Sequence, residues 1–346
     1  MLNSKDRVAI YMESNLDSDY GKMGMGVIRY LKNPITCVID SNHSGKKIKL
    51  FTDTDRNIPI VSSLEIAIEK KTSVLILGIA PSGGKIPKEW IPIIEKALKS
   101  GISIVNGLHE LLLPSWKQII KKNKNQWIWD LRTPLFVPKI ATGKASKLKN
   151  KRILFIGTDM AVGKMTAALE IYRFLDKNSE SVGFLATGQI GIILTGKGIP
   201  LDAFKVDHAC GAVESTVLEY SNKEIVLIEG QGSLLHPGST STLPLMRGSC
   251  PTHLILCHRA NKKTLRSPKN IKIPDLKEFI NLNESLTTVS GTFPKAKVIG
   301  IALNTSHLSK KKAQLNINDL EKKLKIITTD VVRFGPDKIA KAIIEN

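Results

Sequence analysis

The chain of 346 residues is 42% hydrophobic, enough to bury two cores, and its longest apolar runs fall far short of the ~20 residues of a membrane helix. The net charge of +20 rests on 41 Lys and only 10 Arg, with 5% aromatic residues; few bidentate phosphate clamps and few stacking rings argue against specific nucleic-acid binding and for a cationic surface that attracts small anions. Four cysteines without CxxC spacing argue against zinc or a disulfide framework, and the charged N-terminus shows no secretory signal, so the expectation is a cytoplasmic protein with small-molecule substrates, no membrane partner and a homo-oligomeric assembly.

In chain order, RVAIYM, TCVID, IPIV, SVLILGIA and ISIVNG read as strands, with helical patterns such as SLEIAIEKK and PKEWIPIIEKALKS between them. This alternation predicts an α/β fold with a parallel sheet covered on both faces. The loops DYGKMGMG (19–26), DSNHSGKK (40–47) and APSGGK (80–85) follow strand ends, where ligands of open α/β sheets bind, although glycines there also serve plain tight turns. After Trp127 to Trp129 the period breaks, and the basic, proline-bearing stretch RTPLFVPKIATGKASKLKNKR reads as a connection between domains 1–145 and 146–346. A second βα series follows: RILFIG, the helix MTAALEIYRFL, SVGFLAT, EIVLIEG, THLILC, KVIGIALN, and the helices NINDLEKKL and PDKIAKAI.

Between RILFIG and its helix lies GTDMAVGKMT (157–166). A glycine loop joining strand to helix lets backbone N–H groups surround a phosphate, with the helix N-terminus and a lysine, here Lys164, completing the site. Gly157 and Gly163 enclose five residues where the common pattern has four, and Met165 stands where a Ser or Thr ordinarily ligates magnesium; Thr166 is the nearest hydroxyl. A turn serving packing alone is the alternative, and Gly-Lys at a helix start is hard to account for that way. Further on, a buried-type strand ends in Glu229 and a Gly-x-Gly turn (Gly230, Gly232) with His236 and Pro237. A carboxylate at such a strand end suits a metal-binding or water-orienting role beside a nucleotide.

The pair GTDMAVGKMT and EGQGSLLHP resembles dethiobiotin synthetase and its ATP-dependent relatives, with Asn304 of GIALN where those enzymes keep an Asn near adenine. More of the chain is similar to the D-glutamate N-acetyltransferase-like family, long catalogued as a domain of unknown function, through GIAPSGGKIP, NGLHELL, GTDMAVGKMTAALE, ATGQIGIILTGKGIPLDA, IEGQGSLLHPG, LILCHR, GIALNT and VRFG in order. That resemblance implies a Rossmann-like N-terminal domain followed by a P-loop NTPase-like three-layer α/β/α domain, and acetyl transfer from acetyl-CoA to the amine of D-glutamate or a related amino acid. The loop residues Gly157, Thr158, Asp159, Ala161, Val162, Gly163, Lys164, Met165 and Thr166 would then hold the diphosphate of coenzyme A or its 3′-phosphate, with Asn304 a further cofactor-binding candidate near the adenine; coenzyme A needs no magnesium.

An amine must shed a proton before it attacks, so a base is required. His236 is the first candidate, with His208 and Glu229 behind it. Gln189, Gly230, Gly232, His258 and Arg259 are candidates for holding substrate, His258 and Arg259 through a carboxylate and the glycines through backbone N–H groups aimed at a developing oxyanion. The alternatives are an Mg-ATP-dependent ligase or kinase, with Thr166 and Glu229 as metal ligands, and a nucleotide-binding protein without turnover.

Overall fold

The computed structural model describes residues 2–52, 54–120, 125–178 and 180–346, with only the backbone of Asp19 and Ser82. Two compact units divide the chain: Met1–Pro134 with Gln189–Ala203, and Leu135–Gly188 with Phe204–Asn346. The chain thus enters the second unit at Leu135, so the expected boundary near 145 lies inside that unit, and residues 189–203 return to the first.

The first unit runs β1 (Val8–Tyr11), α1 (Lys22–Tyr30), β2 (Ile35–Ile39), β3 (Ile60–Val61), α2 (Leu64–Glu69), β4 (Val74–Leu77), α3 (Ile91–Lys99), β5 (Ser103–Asn106), α4 (Leu113–Ile120) and β6 (Ile128–Asp130). Its sheet has the order β3-β2-β1-β4-β5-β6, all parallel, the order of dinucleotide-binding folds. Strands β1, β4 and β5 are buried at every position, because helices cover a parallel sheet on both faces. Ala9, Leu75, Leu77, Ile94, Ala97 and Ile104 belong to its core. Segment 127–129, taken from sequence as the end of the pattern, contributes the edge strand β6.

The second unit contains β7 (Lys151–Gly157), α5 (Lys164–Lys177) and β8 (Val182–Leu185). Then come α6 (Gln189–Thr195), which belongs to the first unit, α7 (Val206–Leu218), β9 (Ile225–Ile228), α8 (Thr242–Ser249), β10 (His253–Arg259), α9 (Leu276–Thr288), β11 (Lys297–Asn304), α10 (Lys310–Leu324), β12 (Thr328–Thr329) and α11 (Asp337–Glu345). Its sheet is again six-stranded and parallel, in the order β12-β11-β10-β7-β9-β8. Arg152 in β7 is buried, and its guanidinium donates to the carbonyls of Leu148, Asn150, Ser249 and Cys250 at 2.8–3.0 Å, so its charge is solvated by backbone. The register pairs Cys257 with Gly157 and Arg259 with Asn304, which brings the ends of β7, β10 and β11 to one edge of the sheet. Among the described residues no helix is long and apolar enough to cross a membrane.

Candidate active site

β7 ends at Gly157 and α5 begins at Lys164, so the glycine loop spans the joint between strand and helix. Gly163, the N-cap of α5, has φ 112°, a backbone that a side chain strains. No side chain caps the 14-residue α5 and no acid lies in its first turn, so its first N–H groups and the positive end of its dipole are left for an anion. Lys164 is buried, its Nζ donating to the carbonyl of Asp159 at 2.9 Å. Burial pulls its ammonium down to about 8, because low polarity penalises the charged form.

Neighbouring strand ends brace the loop. Thr158 Oγ1 lies 2.9 Å from His258 Nδ1, and Asn304 Nδ2 donates to the carbonyl of Val162 at 3.3 Å while its Oδ1 accepts from the N–H of Ser306. Both oxygens of Asp159 are occupied, accepting from the N–H groups of Met160 and Arg266 at 2.7 Å. Burial lowers His258 to about 4 and raises the Cys257 thiol to about 12, so both are neutral near pH 7. His258 and Arg259 close β10 rather than following it, and His258 is a neutral partner of the loop rather than a charged clamp for a carboxylate.

Glu229 follows β9 and is 3% exposed. Its Oε2 accepts from the N–H groups of Thr187 and Gly188 at 2.9 and 3.1 Å, whereas Oε1 meets only Gln231 Nε2 at 3.4 Å. Burial raises the carboxyl to about 7 against the opposing pull of those N–H groups and of Lys164. Gly230 carries the chain past β7 so closely that a Cβ there would stand 1.6 Å from the carbonyl oxygen of Phe155 and 3.0 Å from Lys164 Cδ, which puts Glu229 and the lysine on the same edge of the sheet.

Not every candidate from the sequence gathers here. His236 has both ring nitrogens engaged: Nδ1 accepts from the N–H of Gly238 at 3.1 Å, so the proton sits on Nε2, which donates to the carbonyl of Ser267 at 2.7 Å. In this arrangement His236 is a strut, with no lone pair left for a substrate proton. His208 lies in the first turn of α7, a helix packed on α8 and on residues 144–147. Gln189 opens α6 in the first unit, where its amide oxygen, turned toward Arg132, accepts from the guanidinium at 2.7 Å; the ATGQIG segment is thus helical from Gln189. Gly232, at φ 67°, turns the chain toward Ser239.

A cleft of about 400 Å³ opens beside the loop, lined by 158–162 together with Arg259, Lys262, Thr264, Leu265, Arg266, Lys269 and Ile273, within the size range of small-molecule sites. Sequence reasoning named Arg259 but missed Lys262, Arg266 and Lys269. Their signal was the acid-free run RANKKTLRSPKNIK, hidden by the abundance of Lys elsewhere.

A family model described as the P-loop domain of a domain of unknown function, DUF1611, matches residues 139–340, and the model for the Rossmann-like N-terminal domain of the same family matches 41–134. The crystal structure of a DUF1611 family protein from Anabaena variabilis is 43% identical, with TM-score 0.95 over 99% of this chain and 100% of that one. A D-glutamate N-acetyltransferase from Pseudoalteromonas sp is 35% identical over 266 residues, 76% of this chain and 79% of the relative. Another of that name, from Tritonibacter scottomollicae, is 33% identical over 284 residues, 81% and 84% of the two chains. With both domain models matched in order and relatives of this similarity along most of its length, the chain belongs to the DUF1611 family.

Proposed function

We propose that this protein is an N-acetyltransferase that moves acetyl from acetyl-CoA to the amine of D-glutamate or a related amino acid. The two relatives named for that reaction support it. The observation that carries acyl over phosphoryl transfer is Met165: the first side chain after Lys164 is a thioether, where nucleotide phosphoryl transfer uses a hydroxyl on magnesium. An anion cradle without that hydroxyl fits coenzyme A, whose phosphates are bound and never transferred. The uncapped start of α5, Lys164 and Arg259 supply donors for those phosphates.

Glu229 is the base in this reading. Its Oε1 has spare acceptor capacity, and a carboxyl near 7 accepts a proton at neutral pH far better than an ordinary carboxylate. It takes a proton from the substrate ammonium, freeing the nitrogen lone pair to form the C–N bond at the acetyl carbon. As the C–S bond breaks the nitrogen gives up its second proton through solvent, leaving the neutral amide, and the sulfur departs as a thiolate that takes up that proton as the thiol. Lys164 and the N–H groups of the α5 terminus hold the diphosphate in place meanwhile.

The test is free thiol released from acetyl-CoA with D- and L-amino acids, with phosphate detection on Mg-ATP in parallel. Thiol release that depends on an amino acid, strongest with D-glutamate, is expected. Phosphate release without thiol would overturn the reading and make Thr166 the metal ligand to substitute.

A further inference from the structure

The cationic wall of the cleft exceeds what a diphosphate cradle needs. Residues 259–272 hold six cations and no acid. Arg259, Lys262 and Lys269 line the cleft, with Arg266 beside them, and the one carboxylate in its lining, Asp159, has both oxygens taken by backbone N–H groups. Arg259 ends β10 at the sheet edge, and its Nε is buried without a hydrogen-bond partner. A buried donor left unpaired costs free energy that an incoming acceptor would recover. Leu265 and Ile273 give the same cleft an apolar lining suited to a base or a ribose edge.

Two pegs hold this wall beside the glycine loop. Asp159 in the loop accepts from the N–H of Arg266, and His236 in the turn after β9 donates to the carbonyl of Ser267, the next residue. The site therefore has two sets of anion donors: the start of α5 with Lys164, and the side chains of 259–269 across the outer half of the loop. We infer that the cleft takes the ribose 3′-phosphate of a 3′-phosphorylated adenosine nucleotide while the α5 terminus takes its diphosphate. The site then selects nucleotides phosphorylated at both positions, and His236 is the positioning residue that keeps the second phosphate's donors in place. The inference rests on the acetyl-CoA reading for the identity of the acyl donor; the two-phosphate selectivity rests on the cleft.

Two measurements test it. Calorimetry compares adenosine 3′,5′-bisphosphate with adenosine 5′-monophosphate, which differ only in the 3′-phosphate, and thiol release compares acetyl-CoA with its 3′-dephospho analogue. The native protein should prefer the 3′-phosphorylated member of each pair by roughly tenfold or more, the scale of a charge-assisted contact. Lys262→Gln with Lys269→Gln, both exposed and therefore safe for folding, should cut that preference severalfold, and Arg259→Gln should cut it further. His236→Ala should raise the KM for acetyl-CoA while leaving the pH dependence of kcat where it was, and His236→Gln should restore part of the loss. Equal binding of the two nucleotides, an unaltered preference in the double variant, or ATP bound more tightly than the bisphosphate would overturn the inference. If the bisphosphate is preferred but no amine elicits thiol release, the cleft stands and the transferase reading fails. If both acyl donors are used equally, the transferase stands and the cleft assignment fails.

Discussion

The loops after β1 and after β7 leave their sheets at equivalent joints, since in each unit the chain runs to one side of that strand and then crosses to the other. Such switch points are where open α/β sheets bind ligands. Yet the first loop closes on itself. Asp40, at the end of β2 where a dinucleotide fold places its ribose-binding acid, is fully buried and accepts from the N–H groups of Leu16 and Asn42. Gly21 lies so close to the loop that a Cβ would meet the carbonyl of Asn15 at 2.2 Å, and α1 touches the chain after β4 through the N–H of Gly24 and the carbonyl of Gly78 at 2.8 Å. Helices α1 and α5 both start without a side-chain cap, but only the loop after β7 adds a buried lysine and an adjoining cationic cleft. Sheet topology offers two sites, and the allocation of hydrogen bonds decides which of them keeps donors for a ligand.

The largest effect expected from breaking this contrast is at Glu229. Glu229→Gln keeps the shape and removes the proton acceptor, so turnover should fall by roughly 10² or more. In the native protein the rate should rise as pH increases through about 7, where the carboxyl becomes a base. Stability should move the other way. The folded carboxyl holds its proton to a higher pH than the ordinary 4.5, so its contribution is full below that value and lost as pH rises through about 7. The variant should flatten both profiles, and an unchanged pH–rate curve would remove Glu229 from the proton transfer.

Next in size is Lys164→Ala, which should weaken binding of coenzyme A by about 1.5–3 kcal/mol, the range for a hydrogen bond to a charged group, with the fold retained. Calorimetric titration reads it directly, and unchanged affinity would reduce the loop to a packing turn. The matching change in the first unit is Asp40→Asn. It should cost about 1–3 kcal/mol of stability, since an amide NH₂ then faces one of the two N–H groups that the buried carboxylate now accepts from, while affinity for nucleotides stays the same. A loss of affinity there would make the first loop a binding site after all.

The sequence made much of this legible, and its failures share a cause. Strands buried on both faces, such as VLIL and HLILC, announce themselves as unbroken apolar runs, and the Gly-Lys at a helix start marks the loop. Short edge strands such as IWD and TT have no period to read. QIGIILT forms α6, and its membership of the first unit depends on partners far away in the chain, such as Arg132, which no local pattern shows. His236 looked like a base because it follows a Gly-x-Gly turn at a strand end. Its occupancy is set by Ser267, 31 residues further on, which no local spacing reveals. Glu229 was present among the candidates, but burial, the property that distinguishes it from an ordinary surface acid, exists only once the strands on either side are in place.

The smallest effect separates bracing from contact. Asn304 was read as a residue near adenine, and its side chain is spent on the protein, Nδ2 on the carbonyl of Val162 and Oδ1 on the N–H of Ser306. Asn304→Ala should therefore loosen the loop by about 0.5–1.5 kcal/mol, the net worth of an ordinary hydrogen bond. Because the brace acts on the loop backbone rather than on a base, the loss of affinity should be equal for adenosine and guanosine nucleotides carrying the same phosphates. A loss confined to adenosine nucleotides would show instead that the side chain turns from Val162 to the base when the site fills. Asn304 would then belong with the ligand contacts, and the loop after β7 would be held by Thr158, Asp159 and their partners alone.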